Sequence, residues 1–147
     1  MKQQKILFVC HGNICRSPMA EFLMKKLAKD AGREREFEID SVATSTEEIG
    51  NDMYPPAKHC LRNHGVPFEH RAARQMTQAD YDYFDRIFVM DRNNLRRLPM
   101  IGIEDKADKI SLLMTLIGEN RDVADPWYTR DFEKTYAELC AALPRIL

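Results

Sequence analysis

The chain has 147 residues, 44% hydrophobic and 31% charged, enough for one globular domain with a proper core, and a second domain is not expected. Its 22 basic and 23 acidic residues leave a net charge of -1, which excludes bulk attraction to nucleic acid or to a membrane surface, so a bound anion must be held by local geometry. Only Ile6 to Val9 are apolar before Cys10, too few for a signal-peptide core, and no stretch has the length to span a bilayer; a cytoplasmic protein with Cys10, Cys15, Cys60 and Cys140 as thiols is expected.

Taken in order, Ile6-Leu7-Phe8-Val9 predicts a strand buried on both faces, as in a parallel sheet. Gly12-Asn13 breaks it, two residues that tolerate left-handed backbone. A helix is predicted from Pro18 to Ala31, with Ala20, Leu23, Leu27 and Ala31 at helical spacing and Gly32 as its stop. Strand, tight loop and helix N-terminus therefore meet between Ile6 and Ser17. This aims backbone N–H groups and the positive end of a helix dipole into one concavity suited to an anion.

A second strand is predicted at Phe37 to Ala43, followed by a polar connection from Thr44 to Pro56 of the length that often carries function. Helices follow at Ala57 to His64, ended by Gly65, and at Thr77 to Phe84, capped by Thr77. Arg86 to Asp91 reads as a third buried strand, Arg92 to Leu98 as a helix closed by Pro99, and Lys109 to Met114 as a strand. The last helix, Asp131 to Leu143, carries Phe132, Tyr136, Leu139, Cys140 and Leu143 on one apolar face, which places Cys140 in the core. Strands alternating with helices predict a single-domain α/β fold over residues 1–147, a central parallel sheet with its ligand site beyond the carboxyl ends of the strands. Cys10 and Asp91 stand at two such ends, and the loop carrying Asp125 can complete the crevice.

A thiol set among backbone N–H groups, a helix N-terminus and a guanidinium is favoured as the thiolate. Cys10, beneath the cradle of His11 to Arg16 and with Arg16 as a bidentate fork, is arranged for in-line attack on phosphorus and a cysteinyl-phosphate product. The leaving oxygen then needs a proton. Asp125-Pro126-Trp127-Tyr128 is the best source, its aromatic pair able to wall a pocket around the acid, although Asp-Pro is also an ordinary turn.

Cys10-His11-Gly12-Asn13-Ile14-Cys15-Arg16-Ser17 resembles the phosphate-binding loop of the low-molecular-weight protein tyrosine phosphatases, and Asp125-Pro126-Trp127-Tyr128 is similar to their general-acid loop. The resemblance extends through Ser45 to Asn51, Arg74-Gln75, Phe84-Asp85 and Met90-Asp91 with Asn94. It implies a four-stranded parallel twisted sheet flanked by helices and hydrolysis of protein phosphotyrosine or small aryl phosphates, without metal or cofactor. It further implies Cys10 as nucleophile, Arg16 as phosphate clamp, Asp125 as general acid and Ser17 as a hydroxyl donor to the thiolate. Asn13 matches a strained loop residue held by a hydrogen-bond network. Cys15 matches a second cysteine that forms a protective disulfide with Cys10. The implied partner is a phosphotyrosine protein, with a tyrosine kinase one candidate, and the protein a monomer or weak dimer.

Two positions depart from the pattern. Glu47 stands where eukaryotic relatives often carry an aromatic wall for the substrate ring, so an acid would repel acidic phosphopeptides unless Tyr54 or Met53 supplies the wall. The segment His70 to Gln75 carries one residue more than the usual spacing, which leaves open whether His70 supports the Asn13 network. Other roles also stay open on sequence alone. Ser17 could cap the helix before Pro18, Asp91 could orient Arg16 or cap the helix after it, Trp127 and Tyr128 could simply pack, and His11 could tune specificity at the pocket rim or do nothing. Cys60 and His64 are four apart on a helix, which permits metal ligation, but no matching pair lies nearby in sequence, so no metal site is expected. Arsenate reductases share the Cys10 loop but relay oxidation through cysteines absent here between Cys60 and Cys140. A phosphoryl carrier would need neither Arg16 nor Asp125.

Overall fold

In the computed structural model, which describes residues 2–147, the first apolar run forms strand β1 (Gln4–Cys10), buried from Ile6 onward. Its burial follows from its place inside the sheet. Strand β2 (Phe37–Ala43) pairs with one edge and β3 (Arg86–Val89) with the other, β4 (Ile110–Leu112) pairs with β3, and all three pairings are parallel, in the order β2-β1-β3-β4. Alternation along β1 sends its side chains into two separate cores. Ile6, Phe8 and Cys10 face a layer made by α1 (Arg16–Asp30), α2 (Pro55–Asn63) and α6 (Phe132–Ala142), through Met19, Leu23, Leu61 and Leu139. Leu7 and Val9 face α3 (Gln78–Tyr83) and α4 (Arg92–Met100), through Tyr81 and Leu98. The α/β architecture and every predicted strand are present.

Three local differences bear on the site. Helix α1 begins at Arg16 rather than Pro18, and Ser17 lies inside its first turn instead of capping it; Cys15 occupies the cap position with no side-chain hydrogen bond. The N–H groups of this turn serve the site, and that of Ser17 bonds the Cys10 sulfur. A short helix, α5 (Pro126–Thr129), follows Asp125, whose side chain caps it by accepting from the Trp127 N–H. Cys140 is exposed, not core. The buried stripe of α6 is Thr135, Leu139 and Ala142, and one residue beyond Leu139 turns about 100° around the helix, which carries Cys140 off that stripe.

The remaining boundaries shift by small amounts: β4 keeps three residues before the chain turns into a 3₁₀ segment at Leu113–Ile117, and α4 runs through Pro99. Among the described residues, no helix is long and apolar enough to cross a membrane. Leu139 is fully buried and anchors α6 against the sheet layer that also carries Cys10. Leu139→Ala is expected to cost about 2–5 kcal/mol of unfolding free energy, measured as a lowered urea midpoint at unchanged slope.

Candidate active site

Residues 11–15 curl around the end of β1, and the curl is set by where their carbonyls go. The carbonyls of Cys10, His11 and Ile14 accept from the N–H groups of Thr44, Ser45 and Tyr54 at 2.9, 3.0 and 2.8 Å. In a trans peptide the following N–H points the opposite way, so those of His11, Gly12 and Cys15 turn toward the cleft that these residues line. The long connection after β2 is thus the outer support of the loop.

The sulfur of Cys10, a residue 3% exposed, sits at the base of this cradle. It accepts from the N–H groups of Asn13 and Ser17 at 3.3 and 3.4 Å. Ser17 Oγ lies 3.0 Å from the sulfur and accepts from Asn13 Nδ2 at 2.7 Å, which leaves its own hydrogen for either Cys10 Sγ or the Val42 carbonyl at 3.4 Å. Once the sulfur is a thiolate it is both the nearer and the stronger acceptor.

Asn13 holds the loop in shape. Its φ is 59°, in the left-handed region, and its amide is fully buried. Nδ2 donates to Ser17 and, at 3.0 Å, to Ser41 Oγ, which donates in turn to Glu21 at 2.7 Å. Its Oδ1 accepts from the Arg71 guanidinium and from the Arg74 N–H. The supporting side chain is therefore Arg71. His70 lies 77% exposed, 3.5 Å from Asp52, and does not contact Asn13; the extra residue in this segment shifts the inward-facing position by one.

Arg16 is buried at 2% exposure and spans the cleft. Nη1 donates to the Val123 carbonyl at 3.0 Å, while Nη2 is 2.8 Å from Asp91 Oδ2 and 3.3 Å from Asp125 Oδ2. Burial opposes its charge, but Cys10, Asp125 and Asp91 outweigh that and hold the guanidinium above its ordinary pKa. Both readings of Asp91 hold: Oδ2 pairs with Arg16 while Oδ1 caps α4 by accepting from the Asn94 N–H at 2.7 Å. Cys15 is raised well above the usual thiol range, by burial first and then by Cys10 and Asp125, and Cys60 is pushed up to about 12 by burial and Glu133.

The resulting cleft, of roughly 450 Å³, is lined by the loop together with Glu47, Glu48, Asp91, Asn93, Asp125, Trp127 and Tyr128. Trp127 and Tyr128 are 43% and 81% exposed, so they are walls rather than packing residues. At the rim His11 Nε2 meets Glu47 Oε2 at 3.1 Å. Tyr54 stands behind Trp127, ring centroids 5.1 Å apart, and outside the lining, while Met53 is buried in the core, so neither replaces an aromatic at position 47. Glu48, Asn93 and Arg71 were not singled out by sequence; Glu48 beside Glu47 was the most accessible signal. Cys10 and Cys15 line the cleft, while Cys60 and Cys140 lie outside its lining.

The sequence and the fold have close counterparts. The family model described as "Low molecular weight phosphotyrosine protein phosphatase" matches residues 5–147. The chain is 41% identical over 140 residues to the low molecular weight phosphotyrosine protein phosphatase of Gallus gallus, covering 92% of this chain and 88% of that one. Its fold superposes on the crystal structure of YfkJ from Bacillus subtilis with a TM-score of 0.93 at 33% identity, covering 99% and 93% of the two chains. The low molecular weight protein tyrosine phosphatase SP-PTP of Streptococcus pyogenes gives a TM-score of 0.88 at 35% identity, covering 99% and 91%. On its fold, its loop and its sequence, the chain belongs to the low molecular weight phosphotyrosine protein phosphatase family.

Proposed function

We propose that this protein hydrolyses phosphotyrosine in proteins, and small aryl phosphates, through a phosphocysteine at Cys10. The observation that carries the reading is a sulfur hydrogen-bonded by two main-chain N–H groups beneath an N–H cradle, with a buried guanidinium held across it. The phosphoryl group occupies the cradle with its oxygens on the loop N–H groups and the Arg16 fork. The Cys10 thiolate attacks phosphorus as the P–O bond to the aryl group breaks, and the carboxylic proton of Asp125 passes to the leaving oxygen to give the free phenol. Water then attacks phosphorus, the Asp125 carboxylate takes its proton, and the P–S bond breaks to return the thiolate and release phosphate.

The two aspartates on Arg16 have separable jobs. Asp91, at 2.8 Å and locked into the α4 cap, holds the guanidinium in place. Asp125, at 3.3 Å on the turn opened by Pro126, is the looser partner and moves to the leaving group as phosphate takes over the Arg16 fork. Trp127 and Tyr128 flank the aryl ring, and the Glu47–His11 pair sets a charged rim that disfavours acidic flanking sequence. The partner in this reading is a tyrosine-phosphorylated protein of the cytoplasm, a tyrosine kinase among the candidates.

Purified protein is expected to turn over p-nitrophenyl phosphate in the presence of a chelator, and Cys10→Ser to lose at least about 10³-fold in kcat. Residual turnover near wild type in that variant would remove the covalent mechanism. Asp125→Asn should slow phosphates with poor leaving groups by about 10²-fold or more, and p-nitrophenyl phosphate distinctly less, in a leaving-group series. Arg71→Ala is expected to lower kcat about tenfold or more by loosening the Asn13 network, as outer partners of a site commonly do, whereas His70→Ala leaves kcat unchanged.

A further inference from the structure

Cys60 and His64 acquire in three dimensions the partner that their sequence neighbourhood lacks. Cys60 lies in the last turn of α2 and His64 at its C-cap, four residues on, and Glu133, in the first turn of α6, reaches across to both. Cys60 Sγ donates to Glu133 Oε1 at 3.6 Å, and His64 Nε2 lies 2.6 Å from Glu133 Oε2. The thiol, imidazole and carboxylate donor atoms all fall within 4.8 Å of one another. None of the three lines the catalytic cleft, and the phosphatase chemistry uses none of them.

A tetrahedral zinc ion, with Zn–S of about 2.3 Å and Zn–N and Zn–O of about 2.0–2.2 Å, sets its donors roughly 3.3–3.7 Å apart. The Cys60–Glu133 separation already has that value. The His64 contact is to the other carboxylate oxygen, Oε2, and must open by a little under about 1 Å as the carboxylate turns one oxygen to the ion; both side chains are free enough to do so, at 36% and 61% exposure. The ring of His64 is stacked on Tyr136, centroids 3.9 Å apart and planes 11° from parallel, which restrains its tilt while Nε2 faces Glu133. With His64 and Glu133 on the solvent side of the buried Cys60, three protein donors leave a fourth position for water. A thiolate and an imidazole select zinc and its neighbours over magnesium or calcium.

We propose that Cys60, His64 and Glu133 bind one zinc-like divalent cation that clamps α2 to α6. On binding, the S–H bond of Cys60 breaks, its proton leaves to solvent and a metal–sulfur bond forms. Neutral His64 contributes a ring-nitrogen lone pair and Glu133 a carboxylate oxygen. No electron is transferred, and the dication with one thiolate and one carboxylate is neutral overall. The site is separate from Cys10, so occupancy and catalysis can be read independently.

Titration of the full chain with Co2+, the spectroscopic substitute for Zn2+, is expected to develop a thiolate-to-cobalt charge-transfer band that saturates at one equivalent. Zn2+ should erase the band and excess Mg2+ should not. The band is expected to persist in Cys10→Ser and to vanish in Cys60→Ser. His64→Ala and Glu133→Gln alter side chains outside the core and should each weaken Co2+ binding by about tenfold or more. Absence of a band in the wild-type chain overturns the proposal. A band lost in Cys10→Ser and kept in Cys60→Ser does the same, because the ion would then sit on the catalytic thiol. So does wild-type affinity in both His64→Ala and Glu133→Gln.

Discussion

The catalytic loop depends on Asn13 being held in a left-handed conformation that costs a non-glycine residue of order 1–3 kcal/mol. Its buried amide recovers that cost by bonding Ser17, Ser41, Arg71 and the Arg74 backbone at once. Each partner is tied further out, Ser41 to Glu21 and Arg74 to Asp40 and Asp80, so strand β2, helix α1 and the segment before α3 all converge on one side chain. Only with Asn13 so placed does its own N–H reach the Cys10 sulfur. The loop is therefore preorganised by the body of the protein, and a phosphoryl group meets donors already in position.

The electrostatics follow from that frame. Arg16 sits in a nearly dry position where an unpaired guanidinium would be very costly, and Cys10, Asp125 and Asp91 beside it offset that burial. One of those neighbours is rigid and one is on a turn, so the same ion-pair cluster fixes the guanidinium and keeps the proposed proton donor beside it. Cys10 and Cys15 differ by five positions and by opposite surroundings: the first receives two N–H groups, while burial and the adjacent negative groups keep the second a thiol.

Away from the cleft, α2 and α6 meet through their polar edge as well as their apolar one. Cys60 packs under Phe132 and Glu133, and its thiol lies 3.7 Å from the Phe132 carbonyl. Because α6 begins just after the turn that carries Asp125, Trp127 and Tyr128, this contact also anchors the chain that follows that turn.

Local pattern was enough to read the strand–loop–helix unit at Ile6 to Ser17, the alternation of strands and helices, and the pairing of Cys10 with Arg16 and a distant Asp125, because apolar periodicity, glycine and proline placement and motif spacing are written in neighbouring residues. The identity of the Asn13 support was not legible: His70 and Arg71 are adjacent, and only the path of the chain past Asp52 decides which one turns inward. The same holds for Cys140, whose exposure depends on which stripe of α6 the sheet covers, for Tyr54, displaced behind Trp127, and for Glu133, brought to Cys60 and His64 from 69 or more residues away. Sequence alone determined the chemistry available to this protein. Tertiary structure decided which groups meet, because side-chain contacts between distant segments depend on the rotation of each element about its own axis, a quantity set by packing against the whole core.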